Sequence, residues 1–442
     1  MVKPGTFFLA FPKVLLVIAP PFWPKMPPLG IGCLQAFLEK NNITCDIIDL
    51  NNIFYNLSSG ELKKSWLISC NASLENNIFD LMQKNHPEEF KRLADQMLGY
   101  EIIGFSCFKS NMSSSLKLIK LLKSGNKNIK IIVGGPEITR QFFKTSGKFT
   151  RDIKSQVDFI VTGEGEKPLL AIVRTGQQAA GQDKKITFNE LADLGALPWP
   201  VYKGLDIGSY PRKNSISILS SRGCVRKCRF CSERLLYKKF RQRPVKNMIE
   251  EIRYYKSRYK TEYFVFHDSM INNDLKKLEE LCGEVIKNFG SIKWEAQIAI
   301  RKDMSHETLE KIKKSGCYNL FVGLESGCDR TLEKMNKGFT TKEAADFFKK
   351  LNGAGLFFGV SIIIGYPGET EAEFRESLDF IIKNKALIPK IEQINPFTHY
   401  DGTTSGKKAD KNAPKRLDIF IKEIKSHGFK YTNAFLGNLI EK

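Results

Sequence analysis

Two successive runs in which short apolar segments alternate with helical patterns predict an α/β chain of two domains. The first run, from Lys13, reads as a doubly wound, Rossmann-like parallel sheet, and the second, from residue 215 to 396, as a partial (β/α)6 TIM-like barrel. Between them lies Leu-Ala-Asp-Leu-Gly-Ala-Leu-Pro-Trp-Pro at 191–200, where prolines on both sides of Trp199 stiffen a linker. The boundaries so drawn are 1–195 for the first domain, 196–214 for the linker, 215–396 for the barrel and 397–442 for a short C-terminal extension.

In the first domain Val14–Ala19 is a proline-bounded apolar run of the kind buried in a parallel sheet. Pro27-Pro28-Leu29-Gly30 opens a helix with Ile31, Leu34, Phe37 and Leu38 at helical spacing, and Cys45–Leu50 supplies the next strand. Residues 53–98 are mostly helical in pattern. Ile102–Cys107, Ile129–Val133 and Phe159–Val161 complete the strands, the last two running into Gly134-Gly135-Pro136-Glu137 and Thr162-Gly163-Glu164-Gly165-Glu166. Glycines at the carboxyl ends of parallel strands either form tight turns or let a large ligand approach the backbone.

The second domain opens on a strand at 215–220. Four further strand patterns each run into polar residues: Tyr263–Phe266 into His267-Asp268-Ser269, Lys293–Ile300 into Arg301, Asn319–Val322 into Gly323-Leu324-Glu325-Ser326-Gly327, and Val360–Ile364 into Gly365-Tyr366-Pro367-Gly368-Glu369. Ile391–Ile394 reads as a final strand. Polar residues at the carboxyl ends of barrel strands are where such enzymes place their chemistry. His267 and Asp268 read equally as a helix cap. Glu325 at the mouth of a barrel needs a partner, and Arg301 is its natural complement or a partner for a ligand carboxylate. Lys407–Lys415 reads as a flexible connector and Asp418–Ile424 as a short helix.

The chain carries a net charge of +21, but Lys and Arg are interleaved with Glu and Asp along its length, the pattern of a solvated surface; RNA is an alternative substrate and not the favoured one. Ten cysteines in 442 residues, seven of them dispersed, do not form a secreted disulfide framework and point to a reducing, cytoplasmic compartment. Pro12 and Lys13 interrupt the apolar start at Phe7–Phe11, which argues against a signal peptide, and no run is long enough for a membrane span.

The remaining three cysteines are packed into Gly223-Cys224-Val225-Arg226-Lys227-Cys228-Arg229-Phe230-Cys231. Thiolates at this spacing can hold an iron-sulfur cluster. With no fourth cysteine nearby, one iron of a four-iron cluster would stay open to a small molecule. Zinc also takes thiolates at short spacing but would need a second Cys/His pair close by. Packing cysteines are usually scattered among apolar neighbours, which these are not.

The C-x-x-x-C-x-aromatic-C spacing resembles the radical S-adenosylmethionine (SAM) enzymes. In the first half, Pro27–Gly30, Gly104-Phe105-Ser106, Gly134–Glu137 and Gly163–Glu166, in that order, look like the cobalamin-binding domain of class B radical SAM enzymes. The resemblance covers about residues 13–395. It implies a [4Fe-4S] cluster on Cys224, Cys228 and Cys231, SAM beside Phe230, Arg301, Glu325, Gly365 and Pro367, and cobalamin contacts from Ser106, Gly134, Gly135, Gly163, Glu164 and Gly165. The Asp-x-His-x-x-Gly motif that ligates cobalt in some cobalamin proteins is absent, so a histidine on the lower face of cobalt is not expected. The Arg241-Gln242-Arg243-Pro244 stretch could contact phosphate, but a structural or docking role is favoured.

The resemblance implies an enzyme, a C-methyltransferase that uses cobalamin as methyl carrier and a 5'-deoxyadenosyl radical to activate a substrate carbon. Alternatives are a non-methylating oxidation, cyclisation or rearrangement with the same cofactors, and a non-catalytic redox module. Expected partners are a small-molecule or peptide substrate and an external electron donor of flavodoxin or ferredoxin type.

Overall fold

The protein is described by a computed structural model covering residues 12–67, 71–143, 153–175, 188–406 and 410–431. The apolar start at Phe7–Phe11, Cys70 and residues 407–409 of the expected connector lie outside the described residues. The chain forms two compact units. One holds the chain through Ser58, Asn71–Leu191 and Leu197–Ser209, and the other is mainly the chain from Tyr210 onward. Among the described residues no helix is long and apolar enough to cross a membrane.

The first unit is built on five parallel strands: β1 (Val14–Ile18), β2 (Cys45–Asp49), β3 (Ile102–Ser106), β4 (Lys130–Gly134) and β5 (Phe159–Ile160), in the order β2-β1-β3-β4-β5. Every residue of β1 is buried, as its unbroken apolar run requires in the middle of a two-sided sheet. Helix α1 (Leu29–Lys40) buries Ile31 and Leu38 in the core that also takes Leu16, Ile132 and Ile172. Gln35, fully buried on the same helix, donates to the Cys45 carbonyl (2.8 Å) and accepts from the Lys203 N–H (3.0 Å), so the segment at Lys203 is hydrogen-bonded to the sheet's first crossover. The helical stretch after β2 resolves into α2 (Leu50–Leu57), α3 (Ala72–Asn85) and α4 (Pro87–Leu98), then α5 (Met112–Gly125) between β3 and β4. A small parallel pair follows β5, made of β6 (Thr162–Gly163) and β7 (Phe188–Asn189).

The second unit carries a six-stranded parallel sheet ordered β15-β14-β13-β12-β11-β8, with β8 (Ser215–Ile218), β11 (Tyr263–Phe266), β12 (Lys293–Ile298), β13 (Cys317–Glu325), β14 (Phe358–Ile364) and β15 (Lys390–Pro396). Its helices include α6 (Val245–Tyr259), α7 (Leu275–Phe289), α8 (Asp329–Met335) and α9 (Ala413–Ser426). On β12 burial alternates: Trp294, Ala296 and Ile298 are buried, and Gln297 is exposed between them. Trp294 packs edge-on to Phe266 at 5.5 Å, and its indole N–H donates to Ser315 (3.1 Å). Between Val322 and Glu325 the register of β13 against β14 shifts, while burial alternates without a break from Leu320 to Glu325, so that Leu324 is buried and Glu325 shares a face with Phe321 and Gly323.

Two expectations are corrected here. The last helix begins at Ala413 and not within 418–424, because Pro414 occupies its first turn, where a missing N–H costs nothing, and Ala413 and Arg416 are buried. His267 and Asp268 cap no helix; Asp274 caps α7 by accepting from the Lys277 N–H (3.2 Å).

Candidate functional site

The cysteine stretch is an excursion closed at its base by a two-residue ribbon: β9 (Ser221–Arg222) pairs antiparallel with β10 (Arg241–Gln242). Three buried side chains lock this base. Asp268, at the end of β11, accepts from the Ser220 N–H (3.1 Å), the Ser220 hydroxyl (2.6 Å) and the Ser221 hydroxyl. Burial pushes its carboxyl up, and these hydrogen bonds oppose that rise. Arg243 donates from its backbone to the Ser220 carbonyl (2.8 Å) and from Nη1 to the Leu219 carbonyl (2.9 Å) and to Glu251 (2.6 Å), which is fully buried. Arg243 of the basic run therefore has a structural role. Gly223 turns the chain into the loop with φ 85°, where a Cβ would lie 2.6 Å from the Lys239 carbonyl.

The loop is held from its far side by the chain that leaves α8. The Arg229 N–H donates to the Met335 carbonyl (2.9 Å), Asn336 donates to the Lys227 carbonyl (2.8 Å), and Arg226 donates to the carbonyls of Lys337 (2.8 Å) and Ile300 (2.9 Å). Asn273 accepts from the Val225 N–H (3.3 Å), and Asn272 exchanges two bonds with the Ala299 backbone (2.9 and 3.0 Å). Sequence reading missed Asn272, Asn273 and Asn336. Their signal was an Asn-Asn pair just beyond a strand and an Asn just past a helix, where it takes the left-handed conformation (φ 56°).

Cys224, Cys228 and Cys231 are all free and half-buried. Burial raises the Cys224 thiol and pushes Cys231 up to about 12, and the negative charge of Glu233 and of the neighbouring thiolates raises both further. Cys224 feels the charge of Cys228, and Cys231 that of both, so a cationic core among them would relieve the desolvation and the repulsion. Among the described residues no three His, Cys, Asp or Glu side chains converge closely enough for a single metal ion. A four-iron core, which spreads its thiolates over separate irons, fits the donor set.

Phe230 packs against Tyr366 (ring centroids 6.5 Å), which packs edge-on to Phe397 (5.3 Å), with Met335 filling the cluster. Glu325 lies at the end of β13 with φ 73°, a left-handed conformation uncommon for a residue with a side chain. Its carboxylate accepts from Lys337 Nζ (3.3 Å) and from the Ser361 hydroxyl (3.0 Å). Gly323 makes room for this pair: a Cβ there would be 3.0 Å from Glu325 Oε1 and 3.3 Å from Lys337 Nζ. The pairing of Glu325 with Arg301 does not form. Arg301 is taken by Asp303 (2.8 and 2.5 Å) and by the carbonyls of Asn272 (2.8 Å) and Asn273 (3.0 Å), a nearby carboxylate prevailing over a distant one.

Gly365 has φ 76°, and a Cβ there would fall 2.4 Å from Ala413 Cβ. Its N–H donates to Glu369 (3.0 Å), which Arg416 of α9 also binds (3.4 Å), so α9 clamps the turn that contains Pro367. His267 stands at the end of β11, in contact with solvent yet enclosed by the barrel wall. That enclosure lowers its imidazole, with the Arg212 charge adding and the Glu295 carboxylate opposing.

At the carboxyl edge of the first sheet Ser106 and Gly134 are register partners, and Gly135 follows with φ 100°. A Cβ on Gly135 would meet the Cys107 backbone at 2.8 Å, and one on Gly163 would meet the Asn189 carbonyl at 2.0 Å, so the fold itself requires both glycines. Gly134 differs: an added Cβ would make only ordinary contacts at 3.5 Å, and Gly30 has nothing within 4 Å. At these two positions the missing side chain serves no internal packing. Glu164 is buried and accepts from the Leu191 N–H, and Gly165 rests on Leu34. The loop after β1 is held by the buried Asn111, which donates to the Ala19 carbonyl (3.0 Å), and by Asn51, which accepts from the Phe22 N–H (2.7 Å).

Comparison with known proteins agrees with both halves. Residues 218–381 match the radical SAM superfamily model and residues 66–173 the B12 binding domain model. The chain joins a B12-binding domain to a radical SAM domain, as class B radical SAM enzymes do. An uncharacterized methyltransferase of Pyrococcus horikoshii is 26% identical over 326 residues, covering 69% of this enzyme and 68% of the relative. An anaerobic magnesium-protoporphyrin IX monomethyl ester cyclase of Rubrivivax gelatinosus is 22% identical over 325 residues, covering 67% of this enzyme and 57% of the relative. The structure of the radical SAM methyltransferase TsrM from Kitasatospora setae, with cobalamin and a [4Fe-4S] cluster bound, superposes with a TM-score of 0.66 at 14% identity, covering 89% and 74% of the two chains. It shares the fold.

Proposed function

We propose that this enzyme transfers a methyl group to a poorly reactive substrate carbon. The observation that carries the reading is the loop of Cys224, Cys228 and Cys231, with three free thiols and no fourth cysteine nearby in the sequence, pinned at the carboxyl end of a barrel in a chain that also holds a B12-binding domain. When bound, the cluster supplies the electron that cleaves SAM to methionine and a 5'-deoxyadenosyl radical, and cobalamin supplies the methyl carrier.

The residues divide the remaining work. Cys224, Cys228 and Cys231 hold three irons. Glu325 accepts from the amino or ribose groups of SAM, Arg301, four of whose five donors go to Asp303 and the Asn272 and Asn273 carbonyls, offers its remaining Nη2 N–H to the carboxylate, and Phe230, Gly365 and Pro367 shape the nucleoside side. Ser106, Gly134, Gly135, Gly163, Glu164 and Gly165 form the cobalamin edge, with Gly134 the position that yields space. A small-molecule or peptide substrate and an external flavodoxin- or ferredoxin-type donor complete the system.

The test is anaerobic reconstitution with methyl-labelled SAM and a cell extract, scored for 5'-deoxyadenosine and for label in a new product. Absence of 5'-deoxyadenosine above a Cys228→Ala control would sink the radical reading. Its presence without label transfer would favour a non-methylating cyclisation, the reading for which the Rubrivivax gelatinosus cyclase is the precedent.

A further inference from the structure

We infer that Lys337 is a positioning residue that ties Glu325 to the cysteine loop, so that one side chain registers the SAM-facing carboxylate against the cluster-bearing thiols. The inference rests on the reading of Glu325 given under Proposed function.

Three sets of contacts meet at this residue. Its ammonium reaches Glu325 Oε1 at 3.3 Å, in a pair whose side chains are only 11% and 13% exposed. The same ammonium lies 5.7 Å from the ring of Phe230, inside the cysteine motif, and 5.7 Å from the ring of Phe339. Its carbonyl accepts from Arg226 Nη1 at 2.8 Å, and Arg226 sits between Cys224 and Cys228. The backbone is shaped for this double use. Gly338 has φ 71°, and a Cβ there would lie 2.9 Å from Arg226 Nη1, so a side chain would push the arginine off the carbonyl. Gly323 leaves the ammonium its space on the other side.

The chemistry fits positioning better than simple charge balance. An ammonium has three donors, and the contact with Glu325 uses one. The aromatic faces fix its position without consuming donors. Glu325 stands in a left-handed backbone conformation, which persists only where the surroundings hold it. Among the described residues Lys337 and Ser361 are the two side chains that hold its carboxylate, and of the two only Lys337 also touches the loop, through its ammonium over Phe230 and its backbone carbonyl to Arg226.

The experiment uses the full chain reconstituted with iron and sulfide, comparing wild type with Lys337→Met and Lys337→Arg. Iron content, SAM affinity by equilibrium dialysis, and the change SAM makes in the electron paramagnetic resonance spectrum of the reduced cluster are measured. Lys337→Met should keep its iron, bind SAM at least about tenfold more weakly, as loss of a charged hydrogen bond predicts, and lose the spectral change. Lys337→Arg should recover most of both. The inference is overturned if Lys337→Met binds SAM within about twofold of wild type with the spectral change intact. It is also overturned if both variants lose iron and melting temperature together, since the residue would then serve the fold alone. A wild-type cluster indifferent to SAM removes the function proposed above and this inference with it; a wild-type response that survives in Lys337→Met removes only the inference.

Discussion

The two units solve the problem of ligand access differently. At the carboxyl edge of the first sheet the distinguishing residues are glycines, and two of them, Gly135 and Gly163, are needed because the chain passes against itself. At the carboxyl end of the barrel the distinguishing residues are side chains with named partners: Asp268 with the two serines, Arg226 with two carbonyls, Glu325 with Lys337 and Ser361. The first surface is made by leaving atoms out, the second by fixing atoms in place. A motif of small residues therefore mixes positions that serve the fold with positions that serve a ligand, and only the local distances separate them.

The largest effect expected from breaking this contrast is at the thiols. Cys228→Ala should abolish 5'-deoxyadenosine and lower bound iron, measured by product chromatography and metal analysis. Next is the glycine pair. Gly163→Ala, with φ 74° and a carbonyl 2.0 Å from the new Cβ, should destabilise the fold by roughly 2–4 kcal/mol. Gly134→Ala should melt like wild type, yet bind hydroxocobalamin more weakly in an absorbance titration. Equal melting losses in both variants would erase the distinction drawn between them. Asp268→Ala leaves the Ser220 N–H and two hydroxyls without their acceptor inside the fold, and should cost about 2–3 kcal/mol in a denaturant melt.

The smallest effect concerns pH. Burial first, and the charges of Asp410 and Glu373 after it, raise the Glu369 carboxyl from 4.5 to about 7, against the pull of the Gly365 N–H and Arg416. The folded chain then holds a proton that the unfolded chain has lost between those values. The contribution of this group to stability therefore falls as pH rises from about 4.5 to about 7 and is flat above. Glu369→Gln should remove that slope, so its stability relative to wild type should improve by up to a few kcal/mol between pH 5 and pH 7 in paired denaturant melts. Parallel profiles would refute the assignment.

Much of this was legible in the sequence because it is local. Val14–Ile18 and Phe358–Ile364 announce buried strands by composition, and three cysteines in eight residues announce a loop that must hold something. What escaped depends on partners far along the chain. Arg301 and Glu325 both stand at strand ends, but their spacing cannot reveal that Asp303 takes the arginine and that Lys337, just past α8, reaches the glutamate. Asn272 and Asn273 act on backbone carbonyls and N–H groups, which leave no complementary residue type to read. The last helix extends beyond its expected start because the polar run through Lys415 reads as a connector until the burial of Ala413 and Arg416 is known.

The register shift before Glu325 bears on redesign of the barrel. Removing a single residue between Val322 and Glu325 would swing the carboxylate toward the packed layer and present Ser326 in its stead, whereas exchanging one side chain for another leaves the frame intact. Libraries aimed at new substrates should therefore vary identities at positions such as Gln297 and Phe321 while keeping the length of this segment constant.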